Sequence, residues 1–436
     1  MKKLHLIATR VNSKPNYSEG AVPPLGILAI ASYAKQHRDD LEIKIDDCAF
    51  FEVDRIKREI ENYDADFIGF SSTALDYCNA FKLAKYIKEN WPLKKTILGG
   101  PYATFLQNDN IKYFDYIVKG AGEKSLLSIL EEPNEKIISE PISPYEFSIL
   151  NYGLLGVLID NYSDNYIKQI LVPEGTEDVK AIYTHKGCNW RNKIGGCLFC
   201  SISKIKEVEY RTPKSLWEEI SIYKKQFGTN FIHDVGEDIT SDTEWLEVFV
   251  AKRPKGLGDI RFSVYARANG INKRMIELFS KLGISQVHLG IESGSNKMLR
   301  KLIKGTTREQ NEKAINLLTD AKIRTYSSFV LGAPFENRGT LEKTYSLIEK
   351  IVELGQTDFI NAYILTPLPG SKAFEMLAEK YPKIKKEIPN STKLQRLWIK
   401  EFTDIDYFYL KEFIEKISAF SKIKSKAFSW EFREDE

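Results

Sequence analysis

The sequence has no long hydrophobic run and no marked excess of either charge, and both absences exclude classes of protein. No stretch approaches the roughly 20 apolar residues of a membrane span, and the first apolar run, KLHLIA (3–8), is too short for a signal peptide. The 63 basic and 60 acidic residues leave a net charge of +3, which does not favour nucleic acid or a membrane surface as a partner. We expect a cytoplasmic globular protein, and 436 residues are enough for two or three domains.

Cysteine is scarce, and its distribution is uneven. Of five cysteines, Cys188, Cys197 and Cys200 lie within the segment GCNWRNKIGGCLFCSI (187–202). In a reducing compartment, clustered thiols favour a metal site over disulfides. Three thiolates are one ligand short of a tetrahedral zinc site and of a fully thiolate-held iron–sulfur cluster. The set suits a [4Fe–4S] cluster with one open iron, and the alternative is a zinc site completed by His185.

The first 130 residues alternate between short apolar strands and helical patterns. Strands are predicted at 3–8, 41–47, 66–72, 95–100 and 116–122, with helices at 24–37, 53–63 and 75–91 between them. This alternation predicts an α/β domain with a doubly wound (Rossmann-like) parallel sheet, whose ligands bind beyond the carboxyl ends of the strands. Small and hydroxyl-bearing residues stand at that edge, namely Ser71, Ser72, Thr73, Gly99, Gly100, Gly120 and Gly122. Either they line a ligand site or the glycines only form tight turns.

A second alternating series begins at residue 181. Its predicted strands are 181–187, 231–237, 260–269, 286–294, 324–334 and 359–369. Six successive strand–helix units predict a partial (β/α)6 barrel with its chemistry at the carboxyl ends of the strands. The cysteine segment follows the first of them.

The remaining segments complete a predicted division of the chain. Residues 131–178 lack a clear period, contain three prolines early on and are predicted to be extended. After residue 375 the pattern is helical and rich in lysine and aromatic residues. We therefore predict a first domain at 1–135, a linker at 136–178, a barrel at 179–375 and a C-terminal helical region at 376–436.

The cysteine segment resembles the loop of the radical S-adenosylmethionine (SAM) superfamily. That loop is usually CxxxCxxC with an aromatic residue before the last cysteine, here Phe199. This chain has C-x8-C-x2-C, in which NKIGG (192–196) is an insertion that Gly195 and Gly196 can fold back. Other stretches are similar to the family's later strands: FIHDVGEDIT (231–240), SVYARAN (263–269), HLGIESGS (288–295), FVLGAPFE (329–336) and ILTPLPGS (364–371).

The first domain resembles the cobalamin-binding-like domain that precedes many such barrels, so the resemblance covers about 1–375. It rests on PPLGILAIASYAK (23–35), ILGGPYATF (97–105) and YIVKGAGE (116–123). The D-x-H-x-x-G motif of cobalamin proteins is absent from the first strand–helix junction, because RVNSKPNYSEG (10–20) contains no histidine.

The resemblance implies three cofactors and a set of residues for each. Cys188, Cys197 and Cys200 would hold three irons of a [4Fe–4S] cluster, and SAM would chelate the fourth. For SAM it implies the backbone near Phe199 at the adenine, Glu292 at the ribose hydroxyls, Ser263 and Arg267 at the carboxylate, and Asp234, Glu237 or Asp238 at the ammonium. For cobalamin it implies Ser71, Ser72, Thr73, Leu75, Gly99, Gly100, Gly120 and Glu123. The alternative for each SAM residue is an ion pair inside the barrel.

The function that follows from the resemblance is a cobalamin-dependent radical SAM enzyme. The leading hypothesis is a C-methyltransferase that acts on an unactivated carbon through a 5′-deoxyadenosyl radical, with flavodoxin or ferredoxin as electron donor. The alternative reaction is a cyclisation, coupling or rearrangement with a vestigial cobalamin domain. A zinc-stabilised binding protein is the non-enzymatic alternative. The substrate, a small molecule or a peptide, is not predicted.

Overall fold

The computed structural model describes residues 1–10, 20–106, 111–203, 207–355 and 357–421, which form two compact units. Unit 1 contains Met1–Tyr166 and Ala378–Asn390, and unit 2 contains Ile167–Leu377 and the described part of the segment that starts at Ser391. Within these described ranges, no helix has both the length and the apolar composition needed to cross a membrane.

Unit 1 is built on a six-stranded parallel sheet. Its strands are β1 (Lys2–Ala8), β2 (Leu41–Asp47), β3 (Phe67–Ser71), β4 (Lys95–Gly99), β5 (Tyr116–Val118) and β6 (Ile137–Ile138). They are arranged in the order β2-β1-β3-β4-β5-β6, and every neighbouring pair is parallel. The predicted doubly wound sheet is confirmed. The sequence did not reveal β6, because two residues are too few to show a period.

Helices connect these strands. They are α1 (Leu25–His37), α2 (Val53–Tyr63), α3 (Tyr77–Asn90), α4 (Pro101–Phe105), α5 (Glu123–Leu130) and α6 (Leu158–Gln169). Strand β3 is buried along most of its length, as expected for a parallel sheet with helices on both faces. Because the strands are parallel, their carboxyl ends meet at one edge, where the small and hydroxyl-bearing residues were predicted to lie.

Helix α6 lies where the sequence was predicted to be extended. Its buried residues include Leu158, Tyr162 and Tyr166, which are spaced four apart and therefore form one face. Asn, Asp and Ser residues between them concealed this pattern, because those residue types also favour turns. Together with β6, this helix corrects the expectation of an extended chain over 131–178.

Unit 2 is built on a second six-stranded parallel sheet. In chain order the strands of unit 2, including a short pair outside this sheet, are β7 (Val179–Ile182), β8 (His185–Lys186), β9 (Glu209–Tyr210), β10 (Phe231–Asp234), β11 (Arg261–Ala266), β12 (Ile284–Glu292), β13 (Arg324–Leu331) and β14 (Thr357–Ile364). The six-stranded sheet has the order β14-β13-β12-β11-β10-β7, while β8 and β9 form a separate antiparallel pair. The predicted partial barrel is confirmed. Its first strand is shorter than predicted, because the chain leaves the sheet after Ile182 to form β8.

The helices of unit 2 include the predicted pair at 213–228 and 272–283. They are α7 (Asn189–Ile194), α8 (Pro213–Phe227), α9 (Thr243–Ala251), α10 (Lys273–Leu282), α11 (Asn296–Lys301), α12 (Arg308–Asp320), α13 (Arg338–Glu353), α14 (Lys372–Lys380), α15 (Ser391–Phe402) and α16 (Tyr407–Ser418). The last two helices confirm the helical character of the C-terminal region, of which 422–436 lie outside the described residues.

Candidate active site

The cysteine segment of unit 2 forms a short helix between its first two cysteines. Cys188 is the N-cap of α7, and its carbonyl accepts hydrogen bonds from the amides of Arg191 (2.9 Å) and Asn192 (3.2 Å). The helix ends at Gly195 and Gly196, whose φ angles of 77° and 79° lie in the left-handed region that favours glycine. The insertion at 192–196 is thus the second half of α7 and a glycine cap, which return the chain to Cys197.

Helix α7 is held against the rest of unit 2 by polar contacts. The Asn189 amide donates to the carbonyl of Ser241 at 2.6 Å, and the Trp190 indole donates to the carbonyl of Ile303 at 2.7 Å. At its end, the Lys372 ammonium donates to the carbonyls of Ile194 (3.0 Å) and Gly196 (3.2 Å). The insertion is therefore an anchored element and not a loose surface bulge.

The second half of the cysteine segment is held through its backbone. The Leu198 amide donates to the carbonyl of Leu302 at 2.9 Å, and the Leu198 carbonyl accepts from the amide of Ala373 at 3.0 Å. A turn closes Cys197–Cys200, with the Cys200 amide 3.2 Å from the Cys197 carbonyl. Phe199, the predicted adenine neighbour, lies in this turn and is half-buried.

Two guanidinium groups lie beside the three cysteines. The Arg267 Nη1 atom is 3.9 Å from the Cys197 sulfur, and its guanidinium stacks 5.0 Å from the centre of the Trp190 ring. Arg191 is buried and lies within electrostatic range of both Cys188 and Cys200. Positive charge at thiolate ligands stabilises them, because it offsets their negative charge.

The donor set of three thiolates fits an iron–sulfur cluster. Within the described ranges, no three His, Cys, Asp or Glu side chains are placed to hold one metal ion. The cysteines of a cluster do not need to meet at one point, because they bind different irons. Burial raises the pKa of the Cys200 thiol above its usual value, and two nearby guanidiniums favour the thiolate form that iron binds.

His185 lies in a hydrogen-bonded chain that occupies both of its ring nitrogens. Its Nε2 atom accepts from the Asp238 amide at 3.0 Å, and its Nδ1 atom is 2.9 Å from the Thr184 hydroxyl. That hydroxyl donates to Asp234 at 2.6 Å. Burial lowers the pKa of His185, so the ring is neutral. With both nitrogens engaged, His185 has no lone pair available to complete a zinc site.

The three acidic residues predicted at the SAM ammonium all have partners within the protein. Asp234 is buried and accepts from the amides of Thr184 and Gly236, each at 2.9 Å. Asp238 accepts from the hydroxyls of Thr240 (2.6 Å) and Ser241 (2.9 Å).

Glu237, the third of these acids, forms a two-point ion pair with Arg191, in which Nη2 lies 3.0 Å from Oε1. In the structure, these acids therefore organise the loops after β7 and β10 around the cysteine segment.

Glu292 and Lys304 form a buried ion pair at the carboxyl end of β12, with 2.8 Å between Oε1 and Nζ. Glu292 has a φ of 61°, which turns the chain out of the strand at a break in the pairing register with β13. The Lys304 carbonyl also accepts from the Arg267 guanidinium. Lys304 thus links Glu292 to Arg267, and no sequence motif pointed to Lys304.

Neighbouring strands β11, β12 and β13 carry a row of stacked aromatic side chains that the sequence analysis did not identify. The ring centres of Tyr265 and His288 are 4.6 Å apart, as are those of His288 and Tyr326, and both pairs are stacked. Ser263, predicted near the SAM carboxylate, instead hydrogen-bonds His288 at 3.0 Å. Burial lowers the pKa of His288 well below its usual value, so the row is uncharged at neutral pH. The sequence signal that could have revealed this row is the two-residue period of side chains along each strand.

The carboxyl edge of the sheet in unit 1 is organised by Asp76. This buried carboxylate accepts from the hydroxyls of Thr73 (2.7 Å) and Thr9 (3.1 Å) and from the Thr73 amide (2.9 Å). Burial raises the pKa of Asp76 to about 6. Ser72 is buried, whereas Thr73 is exposed and Ser71 and Leu75 are half-buried. The predicted cobalamin residues 71–75 therefore form one ordered loop after β3.

Glycines at this edge have two different roles. A Cβ at Gly100 would lie 2.6 Å from the Ser72 amide nitrogen, so glycine is required for the two loops to approach. A Cβ at Gly99 or Gly120 would make ordinary van der Waals contacts, the nearest at 3.8 and 3.9 Å, so neither glycine is required by a close neighbour, and Gly120 is exposed. Glu123 is buried at the start of α5. The junction without histidine falls largely on 11–19, outside the described residues.

Both units of the chain are similar to known proteins. Residues 182–348 match the model of the radical SAM superfamily, and residues 16–130 match that of the B12 binding domain. An uncharacterized methyltransferase of Pyrococcus horikoshii is 27% identical, over 93% of this chain and 87% of the relative. The anaerobic magnesium-protoporphyrin IX monomethyl ester cyclase of Rubrivivax gelatinosus is 26% identical, over 84% of this chain and 69% of the relative.

Two solved structures share the fold over 89% of this chain. The radical SAM methyltransferase TsrM from Kitasatospora setae has a TM-score of 0.67 at 16% identity, with 78% of its chain covered. The cobalamin-dependent radical SAM enzyme OxsB has a TM-score of 0.66 at 16% identity, and this chain spans 62% of its length. The protein is a member of the radical SAM superfamily with an N-terminal B12-binding domain, and its cofactors are a [4Fe–4S] cluster, SAM and cobalamin.

Proposed function

We propose that this cobalamin-dependent radical SAM enzyme is a C-methyltransferase. The observation that carries the proposal is the anchored three-cysteine segment of unit 2, in a chain whose other sheet has an ordered loop and glycines at its carboxyl edge. A methyltransferase relative aligned over nearly the whole chain supports this reaction. When bound, the cluster supplies the electron that cleaves SAM, and cobalamin supplies the methyl carrier. We propose flavodoxin or ferredoxin as the source of that electron.

The residues of unit 2 then have distinct roles in the proposed site. Cys188, Cys197 and Cys200 hold the cluster, and the backbone beside Phe199 contacts the adenine. Glu292 accepts hydrogen bonds from the ribose hydroxyls, because a carboxylate has acceptor capacity beyond the one contact that Oε1 makes with Lys304.

The polar residues around this site have supporting roles. Arg267 is a positioning residue at Cys197, and Asp234 and Asp238 order the loops through the hydrogen bonds described above. We propose that Ser263 positions His288 and that Glu237 positions Arg191. In this proposal neither residue contacts SAM directly.

In unit 1 we propose that the loop after β3 lies against cobalamin. Ser71, Ser72, Thr73 and Leu75 belong to this loop, and Asp76 holds its shape. Gly99 and Gly120 leave room for the cofactor, while Gly100 permits close packing of the loop on β4. Glu123 supports the start of α5 from its buried position.

The products of SAM distinguish the proposed reaction from its alternative. Methyl transfer leaves S-adenosylhomocysteine, whereas radical formation alone leaves 5′-deoxyadenosine. The protein is reconstituted anaerobically with iron, sulfide and cobalamin, reduced, and incubated with SAM, and both products are measured by mass spectrometry. We expect both products, with S-adenosylhomocysteine dependent on cobalamin.

Two other results would redirect the assignment. Only 5′-deoxyadenosine from cobalamin-loaded protein would favour the cyclisation or rearrangement class, to which the Rubrivivax relative belongs by name. Neither product from protein with a full iron content would refute the enzyme assignment. The variant with alanine at Cys188, Cys197 and Cys200 is the control and should yield neither.

A further inference from the structure

We propose that Arg191 sets the reduction potential of the cluster, with Glu237 as its counter-charge. Arg191 lies in helix α7, directly before the insertion at 192–196 that lengthens the segment between Cys188 and Cys197. The inference rests on the cluster assignment in the proposed function, but it does not depend on which reaction the enzyme catalyses.

The position of Arg191 is fixed from both ends of the side chain. At the backbone, its amide donates to the carbonyl of Cys188 at 2.9 Å. Along the stem, its Cγ atom would lie only 2.9 Å from a Cβ added to Gly196, so the side chain packs against the residue that precedes Cys197. At the tip, Glu237 holds the guanidinium through both carboxylate oxygens. A two-point pair of this kind fixes orientation as well as position.

The charge of Arg191 is buried within the segment that joins Cys188 to Cys197. Its side chain is 5% exposed, so water screens it little. The side chain of Glu237 is 31% exposed, so its charge is screened by water more than the charge of Arg191 is. The net effect of the pair on the ligands is therefore that of a positive charge. Arginine keeps this charge at every physiological pH.

A fixed positive charge beside a cluster makes the cluster easier to reduce. Reduction adds one negative charge, and the potential of an iron–sulfur cluster depends on nearby charge and on hydrogen bonds to its sulfurs. Arg191 stabilises the reduced state and so raises the potential, while Glu237 limits this effect. Removal of one partner at a time should therefore shift the potential in opposite directions.

The test is a redox titration of the reconstituted full-length protein without SAM, followed by electron paramagnetic resonance. Arg191→Gln should lower the potential, with an about tenfold lower ratio of reduced to oxidised cluster at a fixed ambient potential, equal to about 59 mV for one electron. Glu237→Gln should raise the potential. If the two residues only held the loop in shape, both substitutions would loosen it in the same way. The potential would then not shift in opposite directions in the two variants.

Two further variants control for charge and for folding. Lys193→Gln removes one positive charge from the same helix, but Lys193 is exposed and its field is screened, so the potential should stay at the wild-type value. Arg191→Lys retains the charge without the two-point pair, and its shift should be smaller than that of Arg191→Gln.

The outcomes separate this inference from the proposed function. If Arg191→Gln does not hold four irons per chain, the Glu237→Gln titration decides, and an unchanged or lowered potential there overturns the role of the pair. Shifts of the same sign in Arg191→Gln and Glu237→Gln also overturn it. Absence of a cluster from the wild-type protein would instead refute the proposed function itself.

Discussion

At the scale of single residues, Glu336 shows how burial alone changes a carboxyl group. It follows β13, and its Oε2 atom accepts from the backbone amides of Gly332 and Ala333. Its Oε1 atom is buried without a hydrogen-bond partner among the residues that the structure describes. Burial raises the pKa of Glu336 from 4.5 to about 7, because a buried charge loses its hydration.

This raised pKa predicts a specific dependence of stability on pH. Between pH 4.5 and 7 the folded protein binds this proton more tightly than the unfolded chain does, so the free energy of unfolding falls as pH rises. At 1.36 kcal/mol per pKa unit, the loss amounts to about 3 kcal/mol. Glu336→Gln should remove this contribution and flatten the profile, as measured by urea unfolding across that pH range.

The control is Glu349→Gln, which removes a carboxyl from the exposed face of α13. Its unfolding free energy should follow the wild-type dependence on pH. An equally steep profile in Glu336→Gln would show that other groups cause the loss of stability.

The sequence allowed us to predict which residues belong to the site more readily than which residues they contact. The three cysteines and Glu292 stood out by spacing and by resemblance to a family. Lys304 did not, because its ion pair with Glu292 depends on how the chain turns after β12. His185 was a candidate metal ligand by proximity to Cys188, and only the structure showed both of its nitrogens engaged.

At the scale of secondary-structure elements, the two glycines that end α7 have separable functions. Both have left-handed φ angles, so alanine at either costs roughly 1–2 kcal/mol of backbone strain. A Cβ at Gly195 would meet only the Lys372 side chain at 3.4 Å, which can move aside. A Cβ at Gly196 would lie 2.9 Å from Arg191 Cγ. Only the second change displaces the buried arginine.

This difference predicts unequal effects on the cluster from two similar substitutions. Gly195→Ala and Gly196→Ala should lower the melting temperature by comparable amounts, because both add strain. Gly196→Ala should in addition reduce iron content or shift the cluster's redox potential, while Gly195→Ala should leave both unchanged. Equal iron content and potential in the two variants would mean that the packing of Arg191 on Gly196 does not matter to the cluster.

Elements were predictable where their periods were long enough to detect. The alternating pattern identified five strands of unit 1 and all six in the sheet of unit 2. Helix α7 was not foreseen, because its contacts come from Ser241, Ile303 and Lys372, which are distant in sequence. An insertion between two cysteines therefore looked like a loop until the structure showed these contacts.

At the scale of the whole molecule, the chain combines two parallel sheets that serve different cofactors. The two family models match separate stretches, 16–130 and 182–348. The candidate residues for cobalamin all lie in unit 1, and those for the cluster and SAM all lie in unit 2. Because each sheet supplies its own carboxyl edge, we expect the two cofactors to be removable independently.

Gly99→Leu tests this independence from the side of unit 1. Gly99 ends β4, and a Cβ there would make only ordinary contacts, the nearest at 3.8 Å, so the larger leucine side chain should project from the carboxyl edge of the sheet and exclude cobalamin. We expect this variant to retain wild-type iron content and to lose hydroxocobalamin, as seen by its visible spectrum after gel filtration. Gly26→Ala is the matched control, because its Cβ would meet no atom within 4 Å and its site lies on the exposed side of α1.

The reciprocal variant carries alanine at Cys188, Cys197 and Cys200. It should bind hydroxocobalamin as the wild-type protein does and contain no iron, because none of the cysteines belongs to unit 1. Retention of cobalamin by Gly99→Leu would exclude the carboxyl edge of the first sheet as the site. Loss of both cofactors from the cysteine variant would mean that cobalamin binding requires an intact cluster. That result would contradict the expectation that the two cofactors can be removed independently.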